Sequence, residues 1–116
     1  MANGDILVVG SGSREHAFVW KLRQSPFVGQ IYVAPGNAGT ECIAQNIPIQ
    51  ITEIADLLLF VRERKIDLTI VGPELPLKLG IVDRFRYHRL CIFGPASAAS
   101  RIETSKAFAK KLMSDH

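Results

Sequence analysis

The amino-acid sequence predicts an α/β domain with an open parallel sheet of about five strands and helices on both faces. Short apolar runs alternate with segments of helical periodicity, which is the order expected for parallel strands joined by crossover helices. Glycine or proline follows most of the apolar runs, so the strand exits are sharp. The length of 116 residues suits one small domain of this kind.

The first half of the chain begins with the clearest strand. The apolar run before Gly10 is typical of a strand buried on both faces, and Ser11 and Gly12 then make a turn. The helix that follows is expected to stop at Ser25 and Pro26, because proline cannot continue the hydrogen-bond ladder. The predicted elements here are a strand at 6–9, a helix around 17–22, a strand at 30–34 and a turn-rich loop at 35–39.

The second half repeats this alternation. Pro48 lacks an N–H donor, so its strand is expected at an edge of the sheet, and Thr52 is expected to cap the next helix. Gly72 ends a strand abruptly, Pro76 is expected to keep the following residues extended, and Gly80 interrupts a later helical pattern. The predicted elements are strands at 47–51, 67–71 and 91–93 and helices at 53–64, 77–87 and 97–113.

The composition disfavours several classes of function. The chain is 47% hydrophobic and 22% charged, an ordinary balance for a soluble globular protein. Its net charge of +3 suits a small anionic molecule as well as nucleic acid, so charge alone does not decide between them. Basic residues form no block of like charge and aromatic residues are not interleaved with them, so nucleic acid is not an expected partner. We see no apolar run long enough for a membrane span and no secretory leader, which favours the cytoplasm.

The two cysteines predict neither a disulfide nor a metal centre. Cys42 and Cys91 are far apart in the sequence and lack the spacing of Cys and His residues that binds metals. We therefore expect two free thiols in a reducing compartment and no metal ligands in this chain.

The residues expected to carry chemistry follow the predicted strands. In an open α/β sheet, ligands bind outside the carboxyl ends of the strands. Four loops fall at that edge, and each contains glycine or proline: 10–16, 34–40, 72–76 and 94–97. A binding site is therefore expected where these loops meet.

The first of these loops begins like a dinucleotide-binding fingerprint. Gly10 and Gly12 permit a tight turn and a close approach of the backbone to a phosphate, and the following helix offers free N–H groups. Glu15, however, stands where the fingerprint has Gly or Ala, and a carboxylate there disfavours a pyrophosphate. The second predicted strand also ends without the acidic residue that would bind a ribose diol. NAD binding is thus disfavoured, and a helix start without any ligand stays open.

Four polar side chains in these loops are candidates for ligand binding. Arg14 can reach a phosphate or a carboxylate, Asn37 offers both a donor and an acceptor, and Glu74 can hold ribose hydroxyls. His16 can bond a substrate hydroxyl, although a histidine on the helix surface is the favoured interpretation. A solvated arginine, a turn-forming asparagine and a glutamate that faces water remain the alternatives for the other three.

Taken together, the loops resemble one family. Val-Val-Gly-Ser-Gly-Ser-Arg-Glu-His at 8–16, Ala-Pro-Gly-Asn-Ala-Gly-Thr at 34–40 and Val-Gly-Pro-Glu-Leu-Pro-Leu at 71–77 occur in order. Phe-Gly-Pro at 93–95 and Glu-Thr-Ser-Lys-Ala-Phe-Ala-Lys at 103–110 follow. This combination resembles the N-terminal domain of the glycinamide ribonucleotide synthetases, of the ATP-grasp superfamily, over essentially the whole chain. It implies a Rossmann-like domain that precedes an ATP-grasp region.

The resemblance implies a ligase that joins glycine to 5-phosphoribosylamine in purine biosynthesis, with ATP and magnesium and through a glycyl phosphate. It places 12–14 near the substrate phosphate, Asn37 and Gly39 in the same pocket, and Glu74 and Pro76 near the ribose. The residues that it assigns to the phosphoribosyl substrate are Gly10, Gly12, Ser13, Arg14, Glu15, Asn37, Gly39, Gly72, Pro73, Glu74 and Pro76. Ser13 stands where the family usually has glycine, so its side chain either crowds the phosphate loop or adds a donor to it.

The resemblance also implies which functions belong to this chain and which belong to the rest of the enzyme. Residues 1–95 would form the substrate-binding domain, and 96–116 would be the helical start of the connection to an ATP-grasp region. ATP and magnesium would bind mainly outside this chain, so we expect no cofactor on it and no ligase activity from it alone. Its expected partners are the phosphoribosyl substrate and the ATP-grasp domains of the same protein.

Two alternatives to this function stay open at the level of sequence. One is the NAD-binding Rossmann domain of an oxidoreductase. The other is a non-catalytic module that keeps the fold and binds a phosphate-containing ligand.

Overall fold

Five strands and five helices follow one another along residues 4–94, the part of the chain that the computed structural model describes. The strands are β1 (Gly4–Gly10), β2 (Val28–Pro35), β3 (Gln45–Asn46), β4 (Leu68–Val71) and β5 (Ile92–Phe93). The helices are α1 (Ser13–Arg23), α2 (Ala38–Ile43), α3 (Ile54–Arg64), α4 (Glu74–Lys78) and α5 (Ile81–Tyr87).

The strands form one sheet in the order β3-β2-β1-β4-β5, and every pairing in it is parallel. The strand β1 lies at the centre, where Val8 is opposite Val33 of β2 on one side and Ile70 of β4 on the other. All three of these valine and isoleucine side chains are fully buried, as expected for strands covered on both faces. The predicted five-stranded parallel α/β sheet is confirmed.

Alternate residues of β1 pack on opposite sides of the sheet. Leu7 and Val9 belong to an apolar cluster that includes Leu57 of α3 and Phe85 of α5. Ile6 and Val8 belong to a second cluster that includes residues of α1. Because each face of the sheet has its own helices, the prediction of helices on both faces is also confirmed. None of the helices in 4–94 combines the length and the apolar character needed to cross a bilayer.

Two local predictions around α2 and β3 are wrong or incomplete. Residues after Pro35 do not remain a loop, because α2 begins at Ala38, capped by the Asn37 side chain. The third strand covers Gln45–Asn46 instead of 47–51, although it does lie at the edge of the sheet. Its ladder ends with the bond from Ile47 N to the Val33 oxygen (2.7 Å), immediately before Pro48, which has no N–H.

Three further corrections concern helix boundaries. The cap of α3 is Glu53 rather than Thr52, and it makes no side-chain capping bond. Pro76 lies within α4 instead of extending the chain, because the first turn of a helix needs no intrahelical N–H bond. The single helix predicted at 77–87 is divided by Gly80, whose φ of 86° is left-handed. The helix predicted at 97–113, and with it the segment 96–116, lies outside the described residues.

Candidate functional site

The carboxyl ends of β1, β2 and β4 meet at one edge of the sheet. Gly36 N donates to the Gly10 oxygen at 3.0 Å, and Gly72 N donates to the Val9 oxygen at 3.0 Å. Three of the four predicted loops are thereby neighbours, while most of the fourth, at 94–97, lies outside the described residues. The chain leaves β1 toward β2 and β3 on one side, and β4 and β5 lie on the other. The crevice between β1 and β4 is therefore the topological switch point, where open α/β sheets bind ligands.

Glu15 fills this crevice. Its side chain is only 6% exposed, and Oε1 accepts a hydrogen bond of 2.8 Å from Gly12 N. The carboxylate lies against two strand ends at once, since a Cβ atom added to Gly10 would come within 2.5–2.7 Å of Glu15 atoms, and one added to Gly72 would lie 2.6 Å from Glu15 Cδ. Glycine at both positions is thus what leaves room for a glutamate at the switch point.

The first turn of α1 faces solvent beside this buried carboxylate. Gly12 is the N-cap with extended backbone, and its oxygen accepts the first helical bond, from His16 N at 3.2 Å. Within residues 4–94, the N–H groups of Ser13 and Arg14 have no acceptor, and both side chains are exposed. Free N–H groups and the positive end of the helix dipole make such a turn suitable for an anion.

Asn37 ties the loop after β1 to the loop after β2. Its Nδ2 donates to the Ser11 oxygen at 2.8 Å and lies 3.3 Å from the Gly12 oxygen. Its Oδ1 accepts from Thr40 N at 2.9 Å, which caps α2. The backbone of Asn37 is extended, with φ of −148°, rather than left-handed as in the turn-forming alternative. Both ends of the amide are therefore used in holding the loops.

Thr40 and Asn46 complete this arrangement and were not predicted from the sequence. The Thr40 hydroxyl accepts from Asn37 N at 2.8 Å and lies 2.7 Å from Asn46 Oδ1. Asn46 Nδ2 donates to the Asn37 oxygen at 2.8 Å. The spacing of Asn37 and Thr40, the two polar residues of a capping box, was the available signal. Asn46 had no such signal, because it lies in β3, six residues after Thr40 and outside the capping box.

The first two helices meet closely at this edge. The ring of His16 on α1 lies against the backbone of Gly39 on α2, where an added Cβ would lie 3.1 Å from His16 Cε1. His16 is half-buried rather than fully exposed. The close approach accounts for a glycine at 39 without any ligand.

The loop after β4 continues directly into α4. Pro73 is the N-cap, Glu74 is the first helical residue and Pro76 is buried. The Glu74 carboxylate is 4.0 Å from Lys78 Nζ with both side chains largely exposed, so this pair contributes little to stability. A carboxylate in the first turn also favours the helix dipole, which gives Glu74 a structural role that the sequence did not indicate.

The structure thus brings most of the predicted residues to one edge of the sheet. Glu15 links the loops after β1 and β4, and Asn37 links those after β1 and β2. Among residues 4–94, no group of three or more His, Cys, Asp or Glu side chains is placed to hold a metal ion. Cys42, as predicted, is an exposed free thiol.

Comparison with known proteins points to one family. A sequence model of the family described as "Phosphoribosylglycinamide synthetase, N domain" matches residues 4–103. The chain is 54% identical to the phosphoribosylamine–glycine ligase of Salmonella typhimurium over 113 residues, 96% of this chain and 26% of that protein. It has the same identity and coverage with the ligase of Escherichia coli K12. With that of Haemophilus influenzae it is 51% identical over 114 residues, 97% of this chain and 27% of the relative.

The match covers nearly all of this chain but only part of the relatives. The chain spans about a quarter of the length of the ligases that it matches, and it corresponds to their N-terminal part. The matched residues include the three loops that meet at the carboxyl edge of the sheet. The chain therefore belongs to the phosphoribosylglycinamide synthetase N-domain family.

Proposed function

We propose that this chain is the part of a phosphoribosylamine–glycine ligase that binds the phosphoribosyl substrate. The whole enzyme would join glycine to 5-phosphoribosylamine with hydrolysis of ATP and give glycinamide ribonucleotide for purine biosynthesis. The names of relatives at 51–54% identity, all phosphoribosylamine–glycine ligases, support this activity for the full-length protein. In the chain itself, the substrate site would lie at the carboxyl ends of β1, β2 and β4.

The observation that carries this proposal is the exposed first turn of α1. Ser13 and Arg14 present N–H groups without acceptors in 4–94 at the positive end of a helix of 11 residues. Arg14 also makes no ion pair with any described residue, so its guanidinium is available to a phosphate. A phosphate monoester bound here would accept backbone and guanidinium hydrogen bonds at once.

The other predicted residues divide into two roles in this proposal. Glu74 is exposed and lies only two residues after Gly72 at the crevice, so we assign it to ribose hydroxyls. Asn37 is assigned a positioning role, because its amide already bonds the Ser11 oxygen and Thr40 N. Gly10, Gly39 and Gly72 would act through the close packing that they permit.

ATP and Mg²⁺ are proposed to bind mainly outside these 116 residues. We assign no residue of 4–94 to either. The remaining domains of the ligase would then be the chain's protein partner and would complete the active site. We further propose that residues 1–95 bind substrate, that 96–116 begin the connection to those domains, and that the enzyme works in the cytoplasm.

A thermal-shift titration of the 116-residue chain tests the proposed substrate. Glycinamide ribonucleotide is the ligand, and NAD is the comparison that represents a Rossmann oxidoreductase. A specific ligand at 100 times its dissociation constant stabilises a protein by about 2.7 kcal/mol. We expect a saturable rise in Tm with the ribonucleotide and none with NAD.

The opposite result would count against the proposal. A saturable shift with NAD alone would assign the chain to the oxidoreductase alternative. The isolated chain is also expected to show no turnover with 5-phosphoribosylamine, glycine and ATP. Measurable formation of glycinamide ribonucleotide by the purified chain would contradict the proposed location of the ATP site.

A further inference from the structure

We propose that Glu15 determines the specificity of the site: its carboxylate bars a diphosphate from the crevice between β1 and β4 and admits a hydrogen-bond donor instead. The inference rests on the proposed function, because it concerns the ligand of the same site. It adds the chemical class that each part of the site accepts. The phosphate lies at the first turn of α1, and a hydroxyl or amine of the ligand lies at Glu15.

The first argument is the space that Glu15 occupies. In dinucleotide-binding sheets, small residues at the first turn let the pyrophosphate rest on the helix N-terminus beside the switch point. Here the Glu15 side chain is in that position, 6% exposed, and in close contact with the backbone of Gly10 and Gly72. Two linked phosphates therefore cannot reach both the crevice and the helix N-terminus without displacing it.

The second argument is hydrogen bonding at the loop. Gly12 N would be a donor to a phosphate in a dinucleotide site, yet it donates to Glu15 Oε1 at 2.8 Å. The remaining free N–H groups, those of Ser13 and Arg14, are further along the first turn and exposed to solvent. A single phosphate fits that exposed turn. A second phosphate extending into the crevice would meet a carboxylate of like charge in a poorly solvated place.

The third argument concerns the other carboxylate oxygen. Glu15 Oε2 lies toward Gly72 and accepts no hydrogen bond from the residues at 4–94. Oε2 is not among the buried side-chain atoms of 4–94 that lack a partner, so it stays open to solvent although most of the residue is buried. A ligand hydroxyl or amine can donate to this open oxygen, whereas an ionised phosphate oxygen cannot. The same group thus selects for one part of the ligand and against another.

The test compares two ligands that share a ribose 5-phosphate group. Ribose 5-phosphate carries a single phosphate monoester, and ADP-ribose carries the same ribose phosphate extended into a diphosphate. Binding of each to the 116-residue chain is measured by titration calorimetry, for the wild type, for Glu15→Gln and for Glu63→Gln. The glutamine keeps an oxygen for Gly12 N but removes the charge. Glu63 is exposed in the last turn of α3, so its variant is a charge-matched control.

We expect the wild type and Glu63→Gln to bind ribose 5-phosphate at least about tenfold more tightly than ADP-ribose. Glu15→Gln is expected to reduce that preference to about threefold or less, because the repulsion is removed. A purely structural role of Glu15 would weaken both ligands equally and leave the ratio unchanged. An unchanged ratio would therefore overturn the inference while leaving the proposed function intact.

Two further outcomes separate the inference from the function on which it rests. Equal or tighter binding of ADP-ribose by the wild type would overturn the assignment of Glu15. This outcome does not depend on the variant, so it holds even if Glu15→Gln fails to fold. The thermal transition of Glu15→Gln shows whether the variant is folded. A wild-type chain that binds ADP-ribose but not ribose 5-phosphate would contradict the proposed function as well. Preference for ribose 5-phosphate that depends on the Glu15 charge supports both.

Discussion

The side chain of Asn37 donates to the backbone oxygen of Ser11 at 2.8 Å across 26 residues of sequence. The same side chain accepts from Thr40 N at 2.9 Å and so caps α2. One amide therefore joins the loop after β1 to the helix after β2. The two contacts use opposite ends of the amide, which means that substitutions can remove them one at a time.

Asn37→Ala is expected to lower the free energy of unfolding by about 2 kcal/mol, because it removes a helix cap and a bond between loops. Asn37→Ser keeps an oxygen that can cap α2 but has no amide to reach Ser11. We expect it to recover roughly half of the loss, about 1 kcal/mol. Urea unfolding of the two variants measures both values. Equal losses for serine and alanine would show that the cap at Thr40 contributes nothing.

Gly72→Ala is expected to destabilise the fold through one neighbour, Glu15. The added Cβ would lie 2.6 Å from Glu15 Cδ, and the backbone of Gly72 has no left-handed φ that would add strain. Overpacking of this kind costs about 1–3 kcal/mol. Gly94→Ala is the control, since a Cβ added there meets no atom of residues 4–94 within 4 Å.

The same clash predicts that the two positions are coupled. Glu15→Ala removes the atoms that the new methyl group would meet, so the double variant should lose less than the sum of the single losses. Coupling energies between residues in contact are about 0.5–3 kcal/mol. Additive losses in urea unfolding would mean that the Gly72 backbone, rather than the Glu15 side chain, determines the requirement for glycine.

The fold could be predicted because strands buried on both faces consist of consecutive apolar residues. The run before Gly10 and the one ending at Val71 are of this kind, and both were placed within two residues of their observed bounds. The short β3 could not be placed this way. Ile47 and Ile49 looked like strand residues, yet both follow β3 and pack on the core. Apolar alternation reports burial, and it does not show which residues pair.

The site could be predicted only as a set of loops. Parallel topology places the ends of β1, β2 and β4 together, which is why Asn37 could be identified as a candidate from the sequence, whereas Glu15 was assigned to the substrate only through the family resemblance. What each side chain does there depends on distances that the sequence does not contain. Glu15 was expected to disfavour a pyrophosphate, and the structure adds that it is buried against Gly10 and Gly72. Glu74 was expected to bind ribose hydroxyls or to face water, and the structure adds that it begins α4.

Thr69→Val is expected to stabilise the fold. Thr69 lies in β4 with no exposed surface, and its hydroxyl has no hydrogen-bond partner within the part of the chain that the structure describes. A buried hydroxyl without a partner costs about 1–3 kcal/mol, and valine removes it with little change of shape. We expect a gain of about 1 kcal/mol in the free energy of unfolding.

Thr40→Val is the matched control for this prediction. Thr40 is equally buried, but its hydroxyl accepts from Asn37 N at 2.8 Å and lies 2.7 Å from Asn46 Oδ1. Its loss would leave polar partners unsatisfied, so we expect a decrease of about 1–3 kcal/mol. Opposite signs for the two threonines in the same urea experiment would support this reasoning, and a loss of stability in Thr69→Val would contradict it.

Arg14→Ala is expected to weaken binding of glycinamide ribonucleotide without changing the stability of the chain. Arg14 is exposed and makes no ion pair with a described residue, so its removal should alter the free energy of unfolding by no more than about 0.5 kcal/mol. A lost charge-assisted bond to phosphate corresponds to about a tenfold larger dissociation constant.

Arg62→Ala is the control, because Arg62 is an exposed arginine in the last turn of α3 and outside the site. Calorimetry in low and in moderate salt compares the loss of affinity in the two variants. If Arg14 contacts the phosphate directly, only the loss in Arg14→Ala should become smaller as salt screens the interaction. Equal affinities for wild type and Arg14→Ala would move the phosphate away from the first turn of α1.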